Sequence, residues 1–187
     1  MKIGIFGGGQ LGRMMALASY PFNLRFSFYD AHQDCPSAPL GQLIGDAHGT
    51  DASLDAFIAS ADVFTYEFEN IPVAWVERIA AQKPVYPSVK SLAVSQNRLN
   101  EKQLFQTLNI PAAAYHEVRC EQDLAQAVSA LGLPLVVKTT MGGYDGKGQI
   151  RVADRAALDA AWDALNNVPC VLEKMLPLQL ECSVIVA

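Results

Sequence analysis

The spacing of apolar and polar positions changes in a regular way along the chain. Ile3-Gly4-Ile5-Phe6 is a short apolar run that predicts a buried strand, and Arg13-Met14-Met15-Ala16-Leu17-Ala18 predicts a helix. Leu24 to Asp30 predicts a second strand, and Ala38 to Ala47 a loop with a short strand. Ser53 to Ser60 predicts a helix with Leu54, Phe57 and Ile58 on one face. Ala61 to Tyr66 predicts the next strand, Val73 to Gln82 a helix, and Pro84-Val85-Tyr86-Pro87 a short last strand. Strands alternating with helices imply a parallel, Rossmann-like α/β layer over residues 1–95.

From residue 96 the pattern differs. Gln96 to Leu108 predicts a polar helix with Leu104, Phe105 and Leu108 as its buried stripe, stopped by Asn109-Ile110-Pro111. A strand (Ala114 to Val118) and a helix (Gln122 to Leu131) follow. Two strands then flank a glycine-rich loop, the first led by Leu133-Pro134-Leu135-Val136-Val137 and the second being Gln149-Ile150-Arg151-Val152. A helix (Arg155 to Leu165) and a strand (Cys170 to Met175) complete the order β-α-β-β-α-β, a split βαβ unit within residues 96–187. Val184-Ile185-Val186-Ala187 is apolar and β-branched and predicts a buried strand without a partner, so the chain is expected to stop inside a domain.

At 51% hydrophobic and 18% charged, the 187 residues can bury a real core. The net charge of -5 argues against a general nucleic-acid surface. No apolar run is long enough to span a bilayer, and the first residues already look like a strand rather than a leader. Cys35, Cys120, Cys170 and Cys182 are scattered without metal-ligand spacing, so reduced thiols in the cytoplasm and no cysteine metal site are expected.

Two glycine-rich turns carry the candidate chemistry. Gly7, Gly9 and Gly12 fit G-x-G-x-x-G after the first strand, and Asp30 ends the second strand, as in a dinucleotide site. The same turn arises wherever a first helix packs closely on a first strand, so NAD binding and a non-dinucleotide layer both stand. Glu67 and Glu69 follow the Ala61–Tyr66 strand, and in an extended chain both would face one side with Phe68 opposite. They suit either a ligand at the strand's carboxyl end or a helix N-terminus. The second turn, Lys138-Thr-Thr-Met-Gly-Gly-Tyr-Asp-Gly-Lys-Gly-Gln149, has Gly142, Gly143, Gly146 and Gly148 to expose backbone amides, with Lys138 and Lys147 as cations. That composition suits nucleotide phosphates, or else a flexible hairpin with solvated lysines. It is not a Walker loop, because no Gly-Lys-Ser/Thr opens a helix. Arg98 is either a surface charge or a phosphate ligand.

Several segments agree with one family. Gly7-Gly8-Gly9-Gln10-Leu11-Gly12-Arg13-Met14, Thr65-Tyr66-Glu67-Phe68-Glu69-Asn70, Asn97-Arg98 with Lys102-Gln103-Leu104-Phe105, and Gly142 to Gln149 together resemble the ATP-grasp superfamily. Within it they are similar to the 5-(carboxyamino)imidazole ribonucleotide synthase family. The resemblance implies a pre-ATP-grasp layer, then the small ATP lid, with the large ATP subdomain mostly missing. It implies ATP and magnesium as cofactors, 5-aminoimidazole ribonucleotide and bicarbonate as substrates, and a homodimer at full length. Gln10, Leu11 and Glu67 would meet the ribonucleotide. Arg98 and Lys138 would contact ATP phosphates under a loop of Gly142, Gly143, Tyr144, Asp145, Gly146, Lys147 and Gly148, with Lys138, Tyr144, Asp145 and Lys147 nearest the chemistry. Glu173, Lys174, Met175 and Leu176 would form the hinge that reads adenine, and Glu181 would bind the ribose.

The activity implied is ATP- and bicarbonate-dependent carboxylation of 5-aminoimidazole ribonucleotide through carboxyphosphate. The magnesium ligands would lie beyond these residues, so no metal site is expected within them and the chain alone is expected to be inactive. An NAD-dependent oxidoreductase and a non-catalytic nucleotide-binding module are the alternatives.

Overall fold

The computed structural model describes residues 1–45, 49–143 and 148–184. The chain divides into two compact units, Met1–Gln96 and Asn97–Ala187.

In the first unit, β1 (Lys2–Phe6), β2 (Arg25–Tyr29), β3 (Gln42–Ile44) and β4 (Val63–Tyr66) form a parallel sheet in the order β3-β2-β1-β4. Helices α1 (Gln10–Ser19), α2 (Asp51–Ala59), α3 (Val73–Ala80) and α4 (Val89–Ser95) accompany it. Strand alternation splits the core in two. Ile5, Phe26 and Phe28 pack with Ala16 of α1, while Phe6, Tyr29 and Phe64 pack with Leu54, Phe57 and Ile58 of α2 and Val76 and Ile79 of α3. Gly4 is required inside β1, because a Cβ there would stand 2.4 Å from the Phe64 ring.

In the second unit, α5 (Arg98–Thr107) precedes β5 (Tyr115–Val118), α6 (Glu121–Leu131), β6 (Leu135–Thr139), β7 (Gln149–Val152), α7 (Arg155–Ala164) and β8 (Cys170–Lys174). The sheet order is β5-β8-β6-β7 with antiparallel neighbours. Strand β8 thus sits between β5 and β6, which is the split βαβ arrangement. One face is apolar: Val118, Leu135, Val137, Cys170 and Leu172 pack on Leu124 and Ala127 of α6 and Leu158, Ala161 and Trp162 of α7. Burial pushes the Cys170 thiol up to about 12, so it behaves as a small apolar side chain. The opposite face carries Lys138 and Glu173.

Several expected elements differ. The segment Pro84 to Pro87 makes only a single parallel bridge, Phe64 to Val85, because prolines on both sides of Val85 and Tyr86 remove ladder donors. The helix expected from Gln96 begins at Arg98, where the Asn97 side chain accepts from Leu99 N–H at 2.9 Å, and α4 was not anticipated. Its stripe is not buried: Leu104 and Phe105 are half-exposed and Leu108 is 56% exposed. Asn109 stops α5 in the left-handed region, φ 55°. Glu67 to Glu69 form a bend rather than an extended pair. Val184 is exposed and outside any strand, and Ile185 to Ala187 lie outside the described residues.

Candidate functional site

The first glycine turn joins β1 to α1, with Gly9 as the helix N-cap. Its donors face the protein's own carboxylates. Gly8 N–H donates to Asp30 Oδ2 at 2.8 Å, Gly9 N–H to Glu67 Oε1 at 2.8 Å, and Gly12 N–H to Glu67 Oε2. The buried Ser37 ties the other side, its N–H on Gly8 O at 2.9 Å and its hydroxyl on Gly9 O at 3.1 Å. Gly7 holds φ +99°, and a Cβ there would meet Glu67 Cγ at 2.4 Å. A dinucleotide pyrophosphate would need these same amides at the helix start. They are taken by Asp30 and Glu67, so the NAD reading loses its anion site. Burial pushes the Asp30 carboxyl up, but the backbone N–H groups of His32 and Gly8 outweigh it and hold it below its ordinary value.

Gln10 and Leu11 open α1 and are exposed. A cavity of about 420 Å³ at the carboxyl ends of β1 and β2 includes Gly7, Asp30, Phe68, Asn70 and Trp75 in its wall. That is where open parallel sheets bind ligands. The Gln96 side chain clamps the adjoining loop, donating to Glu69 O at 2.6 Å and to Ile71 O.

In the second unit the charged groups gather on the open face of the sheet. Lys138, near the end of β6, donates to Glu173 Oε2 of β8 at 2.7 Å, and Lys102 of α5 stands 2.9 Å from Glu173 Oε1. Glu173 is only 8% exposed. Burial pushes its carboxyl up, but Lys138 and Lys102 more than compensate and hold it below the usual carboxylate range. Burial raises the neighbouring Glu101 carboxyl, against the lowering charges of Arg98, Lys102 and Lys138. Arg98 is fixed to the end of β6: its N–H donates to Thr140 O at 2.9 Å and its Nε to Thr139 O at 3.1 Å. Among the described residues, three cations against two carboxylates leave this cluster with one surplus positive charge.

The second glycine turn leaves β6 beside this cluster. Thr139 N–H donates to Gly148 O at 2.8 Å and closes the base of the hairpin. Gly142 (φ +74°) has nothing among the described residues within 4 Å of an added Cβ. Gly143 is half-buried, and Tyr144, Asp145, Gly146 and Lys147 lie outside the described residues. The expected hinge is divided in its contacts. Lys174 turns its side chain to Leu133 O at 3.1 Å, while Met175 and Leu176 are exposed after β8 and Glu181 stands exposed in irregular chain. Arg98, Lys138 and Glu173 are therefore brought together, and Lys174 points elsewhere. Lys102 was not singled out with this cluster; its position one helical turn after Arg98 is the signal that could have found it. Among the described residues no group of His, Cys, Asp and Glu could hold a metal ion, and no helix is long and apolar enough to cross a membrane.

A parallel α/β layer followed by an antiparallel split βαβ sheet with a cationic face is the arrangement of the ATP-grasp class. Residues 1–96 match the ribonucleotide synthetase preATP-grasp domain and residues 103–187 the ATP-grasp domain. The N5-carboxyaminoimidazole ribonucleotide synthase of Pseudomonas aeruginosa is 40% identical over 99% of this chain and 51% of its own length. The crystal structure of N5-carboxyaminoimidazole synthetase from Staphylococcus aureus complexed with ADP is 31% identical, with a TM-score of 0.88 over 94% of this chain and 47% of that one. The Aspergillus clavatus enzyme in complex with ADP and 5-aminoimidazole ribonucleotide is 27% identical, with a TM-score of 0.82 over 93% and 46%. The chain belongs to the N5-carboxyaminoimidazole ribonucleotide synthase family of ATP-grasp proteins. It spans about half the length of these relatives.

Proposed function

We propose that this chain supplies the ribonucleotide-side layer and the nucleotide lid for ATP- and bicarbonate-dependent carboxylation of 5-aminoimidazole ribonucleotide. The observation that carries this reading is the cluster of Lys138, Arg98 and Lys102 beside the glycine hairpin, in a fold whose relatives were solved with ADP. In the reaction a bicarbonate oxygen attacks the γ-phosphorus and ADP leaves, giving carboxyphosphate. The exocyclic amine of the ribonucleotide then takes the carboxyl group, and inorganic phosphate departs. Charge building on the transferred phosphoryl group is stabilised by cations already in place, the role proposed for Lys138 and Arg98. The hairpin amides of Gly142, Gly143 and Gly148, with Tyr144, Asp145, Gly146 and Lys147, would close over the phosphates and keep water from carboxyphosphate.

Glu173, Met175 and Leu176 are proposed to line the adenine side and Glu181 the ribose. Gln10 and Leu11 are proposed to meet the imidazole ribonucleotide. Glu67 uses one lone pair on each oxygen to hold the turn and keeps others for that substrate. Magnesium is expected to accompany ATP; the described residues do not offer a ligand set for it, and no step here runs through it. The test is calorimetric titration of the 187-residue chain with ADP, alongside an assay of ADP release with ATP, magnesium, bicarbonate and 5-aminoimidazole ribonucleotide. The expected result is weak ADP binding without turnover by these residues alone. Absence of ADP binding would overturn the nucleotide-site reading, and turnover comparable to a full-length relative would overturn the expectation of inactivity.

A further inference from the structure

One carboxylate on the open sheet face is held by two lysines, although one would neutralise it. Glu173 takes Lys138 on Oε2 at 2.7 Å and Lys102 on Oε1 at 2.9 Å. Both lysines are largely buried, with side chains 21% and 12% exposed. Their surroundings differ. Lys138 stands on β6 at the root of the glycine hairpin, directly paired across the strands with Gln149. Lys102 comes from α5 and lies over the Tyr115 ring, 5.8 Å from its centroid, on the side of β5. Among the described residues Glu101 of α5 also interacts with Glu173, and Arg98 of α5 acts on Glu101. Arg98 is engaged with the carbonyls of Thr139 and Thr140.

We infer that Lys102 is a positioning residue that keeps Glu173 ionised when an arriving phosphate draws the charge of Lys138 away. This rests on the nucleotide-site reading above. With Lys102 in place, Lys138 can turn to an anion while the buried carboxylate keeps a counter-ion. Without Lys102, the same movement strips a buried carboxylate of its remaining lysine among the described residues. Burial alone drives a carboxyl toward its neutral form, so Glu173 would then take a proton from solvent as the nucleotide binds. Adenosine has no phosphate to draw on Lys138 and makes no such demand.

The experiment titrates ADP and adenosine into the 187-residue chain and its Lys102→Met, Lys102→Gln and Lys102→Arg variants, between pH 6 and 8. Buffers of different ionisation enthalpy report the protons taken up. In the parent chain the pH dependence of ADP affinity and the protons exchanged are expected to be those of the ADP terminal phosphate alone, whose second ionisation falls at about pH 6. Lys102→Met is expected to weaken ADP about tenfold or more at pH 8, with the loss shrinking toward pH 6 and proton uptake appearing. Adenosine binding should stay within about twofold, and Lys102→Arg should restore the parent behaviour. Lys102→Gln serves if the methionine variant fails to fold. Adding Glu173→Gln to Lys102→Met should return the pH dependence to that of the parent chain, because no carboxylate remains to be stranded. Equal losses for ADP and adenosine at every pH would mean Lys102 only supports the fold, and the inference would fall. A parent chain that binds neither ligand would instead remove the nucleotide site itself.

Discussion

The two glycine-rich turns are made of similar residues and used in opposite ways. At the first turn an added Cβ would strike Glu67 from Gly7, Gly9 and Gly12, at 2.4, 2.8 and 3.0 Å, and Cys35 Sγ from Gly8 at 2.4 Å. That turn is a socket, and the protein fills it with its own carboxylates. At the second turn an added Cβ on Gly142 would meet nothing among the described residues. The strand that leads into it, β6, carries Lys138 on a face where the described cations outnumber the carboxylates. Glycine spacing therefore reports that something comes close to the backbone. Whether that something is internal or a ligand depends on which side chains the fold brings there.

The comparison breaks most sharply at Gly7. Gly7→Ala adds a clash with Glu67 to a backbone conformation that L-residues rarely adopt, and should cost about 4 kcal/mol in urea unfolding. A cost below about 1 kcal/mol would show that the turn is not packed on Glu67. Glu67→Gln comes next. It replaces one accepting oxygen with an NH2 group aimed at a backbone N–H, which should lower stability by about 3 kcal/mol. Its ADP affinity should stay near the parent value; lost ADP binding with unchanged stability would reverse the roles assigned to the two turns.

Lys138→Ala should act on the other side of the comparison. It should weaken ADP roughly thirtyfold, about 2 kcal/mol, while Glu173 keeps its contact with Lys102. Unchanged ADP affinity would take Lys138 out of the site. Gly142→Ala meets no neighbour among the described residues and should cost only the positive-φ penalty, about 1 kcal/mol. Chemical denaturation of this variant beside Gly7→Ala measures the contrast directly, and equal costs would erase it.

The smallest effect is a pH slope. The folded-state value of Glu173 lies below its unfolded value. Its stabilising contribution is therefore complete above the unfolded value of about 4.3 and is lost as pH falls through the lower folded value. Circular dichroism during acid titration should show stability dropping below about pH 4, with a shallower drop in Glu173→Gln. An unchanged slope in that variant would mean the lysine pair does not couple to folding.

Much of the scaffold was legible in the residues. The β-branched and aromatic runs marked β1, β2, β4, β6 and β8, and Asn109 marked the end of α5. Elements failed where local pattern was weakest. The prolines around Val85 left a single bridge, and the polar 96–108 stretch hid both a cap at Asn97 and an exposed Leu108. Of the charged cluster on the second sheet, Lys138, Arg98 and Glu173 had been singled out from motifs and the family resemblance. Lys102 was not, because a lysine on a polar helix looks the same whether it is solvated or aimed at a carboxylate seventy-one residues later.

Sequence alone determined what is local and periodic: alternation sets which strand faces are apolar, and glycine sets where backbone can be approached. Only the tertiary structure decided the partners. Gly9 and Gly12 lie 58 and 55 residues from Glu67, and Lys138 lies 35 from Glu173. A carboxylate chooses between a backbone amide, a lysine and a ligand by distance and desolvation, and both are properties of packing rather than of spacing along the chain.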